Sequence, residues 1–319
     1  MGTAENNGLN SNTKQSGLSM IKPGKWGFSA VTKDGFAGRM VDGKLVLEKE
    51  PLVPCRDFGV LYGYGLFETL RVYPEGHIFD LQRHLERLFA SCADLKIEPG
   101  LSLEELAGAA GEYVAQAGLK EGALRLTVTK GDASRGVFPA IYFSSRPITY
   151  SPLNYEEGFT AVISPVRKNQ SSPLVYHKTL NYLDNLLALE EARRAGAQEA
   201  LFLNHKLQLT EGTISNLFFV TDGILHTPAV ACGLLAGITR QRVIDLAAAL
   251  GYHVMAGEYV LTDLFAANEA FLTNSLMEVM PLCRVNATPI KNGKPGSVTR
   301  ELLWHYKTLT GTNPAGSHA

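Results

Sequence analysis

The sequence predicts a mixed α/β (α+β) chain of two domains. Three observations carry that expectation. Runs that alternate apolar and polar residues, such as "ALRLTVTKG" and "AIYFSSRPI", are interleaved with runs of helical spacing. This mixture occurs on both sides of one polar, proline-containing stretch, "RPITYSPLNYEEG", which reads as a linker. The chain has 319 residues, more than a single hydrophobic core usually serves, with 45% hydrophobic and 19% charged residues as in ordinary globular proteins.

The elements follow in order. Residues 1–24, "MGTAENNGLNSNTKQSGLSMIKPG", bury too little apolar surface to offset ordering and read as a flexible extension. A small N-terminal α/β domain is expected over 25–148, the linker over 149–155 and a larger C-terminal α/β domain over 156–312. "GLFETLRVYPEGHIF" reads as two strands around a Pro-Glu-Gly turn. "DLQRHLERLFASCADL" places Leu81, Leu85, Leu88, Phe89 and Cys92 at helical spacing behind Asp80 as N-cap. "SLEELAGAAGEYVAQAG" is a second helix, with a capping box between Ser102 and Glu105. Past the linker come the strand "FTAVISPV", a helix after Lys178, the strands "EALFLN" and "NLFFVTDGILHTP", and the helix "TRQRVIDLAAALG". A strand-rich segment and the helix "SVTRELLWHYKTLTG" complete the chain, with no internal repeat.

Several function classes are disfavoured. A net charge of -1, with both signs interspersed, offers no basic surface for nucleic acid. Cys55, Cys92, Cys232 and Cys283 are far apart and form no CxxC pair, so they read as reduced, mostly buried thiols. The histidines show neither HExxH nor HxxxH spacing, so no metal site is expected. The longest apolar stretch, Ala229 to Ile238, is too short to span a bilayer, and the N-terminus has no secretory pattern. Asn6 stands where a myristoylation signal needs Ser or Thr. The expected setting is the cytoplasm, with a small-molecule substrate and no membrane partner. "YGYGLFE" carries Gly63 and Gly65 but runs on as a strand, so it is a weak dinucleotide-binding signal.

Four features carry chemistry. Lys178 stands between Tyr176 and Tyr182, just before a helix. Gly237-Ile238-Thr239 opens a helix whose free N–H groups and positive dipole end suit an anion; an ordinary Thr N-cap is the plain alternative. Glu211 sits in a Thr-Glu-Gly turn between strands, either solvated or holding a proton on a heterocyclic nitrogen. Arg83 is either a surface residue or a phosphate clamp. Together these are the parts that hold pyridoxal phosphate: a lysine for the aldehyde, a carboxylate for the ring nitrogen, and a cation with a helix N-terminus for the phosphate.

From Asp57 to about Pro281 the chain resembles the fold-type IV pyridoxal-phosphate enzymes. The motifs are "DFGVLYGYGLFETLRVY", "RHLERL", "HKTLNYLDNLLALEEA", "LTEGTISNLFFV", "GLLAGITRQ" and "EAFLTNSLMEVMPL". The resemblance implies two α/β domains with the site in the cleft between them, and a homodimer. It also implies that Lys178 forms the Schiff base with the cofactor, beneath an aromatic wall. Glu211 is implied as partner of the ring nitrogen, Arg83, Ile238, Thr239 and Ser275 as phosphate-binding residues, and Tyr182 as a neighbour of the ring. Tyr62 and Arg135 are expected on the substrate side, Arg135 as a carboxylate clamp or, alternatively, as a plain loop residue. Within the family, "TNSLMEVMPL" and the Arg135-Gly136 pair look like the aminodeoxychorismate lyases, which release p-aminobenzoate and pyruvate in folate synthesis. An aminotransferase acting on D- or branched-chain amino acids is the alternative. A non-catalytic cofactor-binding homologue is a third, and the presence of both Lys178 and Glu211 argues against it.

Overall fold

The computed structural model describes residues 37–41, 44–48 and 53–312. The extension expected over residues 1–24 lies outside them. The first sheet has six strands: β1 (Ala37–Val41), β2 (Lys44–Glu48), β3 (Gly65–Tyr73), β4 (His77–Ile78), β5 (Gly122–Thr129) and β6 (Ile141–Arg146), in the order β2-β1-β6-β5-β3-β4. Helix α1 (Phe58–Tyr62) precedes β3. Helices α2 (Leu81–Asp94) and α3 (Leu103–Gln116) cover one face.

Side chains alternate across a strand, and that period sorts the sheet's two faces. Leu66, Leu70 and Val72 of β3 and Leu124, Leu126 and Val128 of β5 join Leu85, Leu88, Leu106 and Tyr113 of the helices in one core. The odd-numbered residues of the same strands, Phe67, Arg71, Tyr73 and Arg125, therefore face the other way, toward the second half of the chain. There Arg71 and Tyr73 reach Glu278.

The second sheet comprises β7 (Phe159–Lys168), β8 (Glu199–Asn204), β9 (Leu209–Gly212), β10 (Asn216–Thr221), β11 (Ile224–Pro228), β12 (Val254–Gly257), β13 (Glu269–Asn274), β14 (Glu278–Val285) and β15 (Thr288–Pro289). Its main order is β12-β11-β10-β13-β14-β7-β8-β9, with β15 paired to β14. β9 also bridges β10 through Glu211 and Asn216, so the sheet closes on itself at Glu211. Helices α4 (Pro152–Glu157), α5 (Leu183–Arg194), α6 (Ile238–Ala249), α7 (Leu261–Ala266) and α8 (Ser297–Leu309) belong to this half. Val243 and Ala247 of α6 and Leu302 and Tyr306 of α8 bury against Phe218 and Phe271 of the sheet.

Local structure departs from the sequence expectation in three places. The stretch "NLFFVTDGILHTP" is a hairpin rather than one strand, because Asp222 and Gly223 both take positive φ (50° and 78°) and reverse the chain between β10 and β11. The expected linker contains α4, whose start is closed by a capping box between Ser151 and Asn154. Asp80 stands at the N-cap of α2 but makes no capping bond; its carboxylate is taken by Arg242 of α6, at 2.7 Å from Nε. The capping box of Ser102 and Glu105 is present as expected. All four cysteines are free, with Cys55 exposed and the other three buried.

Candidate active site

The segment around Lys178 is pinned along β3. Phe67 N–H donates to the Lys178 carbonyl at 2.9 Å, and Leu180 N–H donates to Gly65 at 2.9 Å. This pairing sets the lysine over the outward face of β3, where its Nζ lies 4.5 Å from the centre of the Phe67 ring and 5.8 Å from that of Tyr182. The aromatic wall is thus Phe67 and Tyr182, whose rings meet edge-on at 5.3 Å. Tyr176, the other flanking ring, instead donates its hydroxyl to the Gln170 carbonyl. Burial pushes the Lys178 amine down to about 8, and the nearby Arg87 guanidinium adds to the effect. A free amine is accordingly available near neutral pH, as a nucleophile toward an aldehyde must be.

Glu211 is buried at the closure of the second sheet. Its Oε2 accepts the Leu235 N–H at 3.1 Å, and Lys168 Nζ stands 3.5 Å from Oε1. Burial raises its pKa against the pull of Lys168, the Leu235 N–H and Lys178. The next turn is tied together by Glu199, a buried carboxylate that accepts the N–H and hydroxyl of Thr213 and the hydroxyl of Ser215. The Thr213 carbonyl in turn accepts from Tyr182 Oη and Asn185 Nδ2, both at 2.6 Å. Tyr182 and the turn that follows Glu211 are therefore held through one connected set of bonds.

A recess is lined by Ile238, Thr239 and Ser275, with Arg71, Phe79, Asp80, His84 and Tyr306 around it. Gly237 is the N-cap of α6 and supplies no side-chain capping bond, so the first backbone N–H groups of the helix lack intrahelical partners. A Cβ at Gly237 would collide with Asn216 Oδ1, which explains why the helix opens with glycine. Thr239 lies inside the first turn rather than at the N-cap, so the plain capping alternative does not describe it.

The structure brings together Lys178, Tyr182 and Glu211, and gathers Ile238, Thr239 and Ser275. It does not bring Arg83 to them. Arg83 is 38% exposed and faces Asp245 of α6 at 3.4 Å. One helical turn later, Arg87 takes the inner position. It donates to both oxygens of Glu68, at 2.8 and 2.6 Å, and to the Ala236 carbonyl just before α6, at 2.9 Å. Burial alone would raise the pKa of Glu68, but Arg87 and His84 hold it at about 2. Tyr62 is exposed and packs edge-on to Phe58 at 5.3 Å. Arg135 is 59% exposed and faces Asp132 at 3.5 Å within its own loop. Arg125, which the sequence reading passed over, lies on the same face of its sheet as Phe67, its Cζ 3.7 Å from the ring centre.

The residues fit pyridoxal phosphate. A low-pKa lysine, a buried carboxylate, an aromatic wall and a recess with N–H and O–H donors could hold its aldehyde, ring nitrogen, ring face and phosphate in turn. Among the described residues, no group of His, Cys, Asp and Glu could hold a metal ion, and no helix is long and apolar enough to cross a membrane.

Comparison with known proteins identifies the family. Residues 65–285 match the family model described as amino-transferase class IV. A Methanocaldococcus jannaschii protein, provisionally named a branched-chain-amino-acid aminotransferase, is 36% identical over 278 residues, covering 84% of this chain and 95% of that protein. The aminodeoxychorismate lyase of Bacillus subtilis is 30% identical over 273 residues, covering 84% and 92%. The crystal structure of the T.th. branched-chain amino acid aminotransferase with pyridoxamine 5'-phosphate superposes with a TM-score of 0.81 at 28% identity, covering 88% of this chain and 96% of that one. The mixed α/β fold is that of the fold-type IV enzymes, and this chain belongs to the class IV aminotransferase family of pyridoxal-phosphate-dependent enzymes.

Proposed function

We propose that the chain is a lyase that converts 4-amino-4-deoxychorismate to p-aminobenzoate and pyruvate. One observation carries the choice within the family: the segment "TNSLMEVMPL" is similar to the corresponding segment of the aminodeoxychorismate lyases. Asn274 Oδ1 accepts the N–H groups of Leu276 and Met277 at 2.9 and 2.8 Å, and its Nδ2 donates to the Ile214 carbonyl at 3.1 Å. This tight turn sets Ser275 at the recess.

Lys178, Glu211, Tyr182, Ile238, Thr239 and Ser275 carry the cofactor in this reading, and Arg87 replaces Arg83 beside the phosphate. Bound pyridoxal phosphate supplies an electron sink. The Lys178 amine takes the proton from the substrate carbon that bears nitrogen. Glu211 holds the proton of the ring nitrogen. Arg125 binds a substrate carboxylate, a role first expected of Arg135. The C–O bond to the enolpyruvyl group breaks with its electron pair on oxygen, the departing group takes up the proton that Lys178 removed and becomes pyruvate, and the remaining ring becomes aromatic. The same reading includes a homodimer: the exposed apolar side chains of Leu61, Tyr62, Phe138, Leu183 and Leu187 are the ones a second copy would cover. It keeps the division into a smaller N-terminal and a larger C-terminal domain, one around each sheet.

A second reading, an aminotransferase of D- or branched-chain amino acids, is favoured by the similarity to the M. jannaschii protein. Incubation with 4-amino-4-deoxychorismate and no keto acid separates the two. The lyase reading requires p-aminobenzoate and pyruvate in equal amounts, with the cofactor back in its aldehyde form. Conversion of the cofactor to its amine form by an amino acid alone, without any p-aminobenzoate from the first assay, would establish the aminotransferase instead.

A further inference from the structure

Behind the recess lies a chain of three polar side chains. Glu68 Oε2 lies 2.8 Å from His84 Nδ1, and His84 Nε2 lies 3.3 Å from Ser275 Oγ. Both Glu68 and His84 are buried. Glu68 also takes two bonds from Arg87, so it stays ionised and can only accept. The proton between Glu68 and His84 therefore sits on Nδ1. In the neutral ring Nε2 is then a bare acceptor, and it takes the hydroxyl proton of Ser275.

That arrangement conflicts with a phosphate in the recess. A phosphate dianion offers acceptors only, so it needs the Ser275 proton for itself. If the hydroxyl swings to the phosphate, Nε2 is left as a buried acceptor without a donor, which is costly. If the ring gains a proton instead, every group is satisfied. Nε2–H then donates to Oγ, Oγ–H donates to the phosphate, and Nδ1–H stays on Glu68. We propose that binding of the cofactor phosphate is coupled to uptake of one proton by His84, with Ser275 as the relay.

The charges around the ring permit it. Glu68 and Arg71 come from β3 and Asp80 and Arg87 from α2, with Arg242 of α6 paired to Asp80 and Tyr306 of α8 closing the recess. Burial holds the ring neutral before the phosphate arrives, and the incoming dianion reverses the balance. Uptake on binding means that affinity falls as pH rises, by about tenfold per pH unit between the free and bound ionisations of His84.

The inference rests on the recess being the phosphate end of the cofactor site. The test uses the full-length protein, uniformly 15N-labelled so that histidine ring nitrogens and backbone amides are both read, at about pH 8, above the second ionisation of a phosphate group. Spectra are taken of the holoenzyme, of the cofactor-free protein, and of the latter with inorganic phosphate. His84→Gln assigns the signal; where that variant misfolds, Ser275→Ala shifts it instead. The expected result is one bare ring nitrogen in the cofactor-free protein and two protonated nitrogens with cofactor or phosphate. In Ser275→Ala the second proton is expected to be lost. Amide shifts at Thr239 and Ser275 with a ring that keeps its bare nitrogen would overturn the coupling alone. No shift at those amides would overturn the phosphate reading and the coupling with it.

Discussion

The Glu211 carboxylate is fixed by the Leu235 N–H at 3.1 Å, and its other oxygen lies 3.5 Å from Lys168. An amide in its place keeps much of the shape but loses the charge that holds a proton on the ring nitrogen. Glu211→Gln is expected to retain cofactor and lose about 3 kcal/mol of transition-state stabilisation, roughly a hundredfold in kcat. Steady-state kinetics on fully loaded protein check this, and near-normal turnover would reduce Glu211 to a structural residue.

Covalent attachment of the cofactor depends on the neutral form of Lys178. Burial holds its amine at about 8. Below that pH the ammonium form predominates and cannot attack an aldehyde. Attachment of pyridoxal phosphate to the cofactor-free protein is therefore expected to accelerate about tenfold per pH unit up to that point and then level off. Stopped-flow absorbance follows the rate. Borohydride should fix the label on the Lys178 peptide and leave Lys178→Ala unlabelled; label on another lysine contradicts the assignment.

Two arginines four residues apart on α2 are expected to behave differently. Arg87→Ala removes charge-assisted bonds at the recess and should weaken the cofactor by about 2–3 kcal/mol. Arg83→Ala touches only an exposed pair and should change affinity by less than about 0.5 kcal/mol. Titration of both cofactor-free variants with pyridoxal phosphate decides it, and equal losses would restore Arg83 to the site.

Arg125 and Arg135 are separated in the same way. Arg125→Gln should raise KM by roughly ten- to a hundredfold, the worth of a charge-assisted bond of about 1.5–3 kcal/mol, with cofactor affinity kept. Arg135→Ala should leave KM within about threefold when Arg135 is only a loop residue. A large effect of Arg135 would restore it as the carboxylate clamp.

These contrasts show what the sequence could and could not convey. Lys178 and the Gly237-Ile238-Thr239 helix start could be singled out because each stands at a break in structure, whereas Glu211, expected in a turn, lies within strand β9, paired to Asn216 and buried. Arg83 and Arg87 were not separable, since four residues make about one helical turn and only packing decides which of them meets Glu68. Arg125 could not be picked out, because alternation defines two faces of a strand without saying that the polar one lines a cleft. Glu68 left a detectable trace: a carboxylate in register with Leu66 and Leu70 on a core face requires a buried partner. His84 and Ser91 left the same trace within the apolar stripe of α2.

The bonds that join the two sheets have a consequence for synthesis. Tyr73 donates to Glu278 and Arg71 donates to the Leu276 carbonyl, each across 205 positions of chain. A growing chain can assemble β3, β5, α2 and α3 early, because their contacts are local. The far ends of those two bonds, and Ser275 beside them, leave the ribosome only after most of the polypeptide has emerged. Loop closure over such distances is slow relative to hairpins and helices. Nascent chains arrested before about residue 275 should thus hold the first sheet folded yet bind no cofactor, and capture of cofactor should mark the last stage of folding.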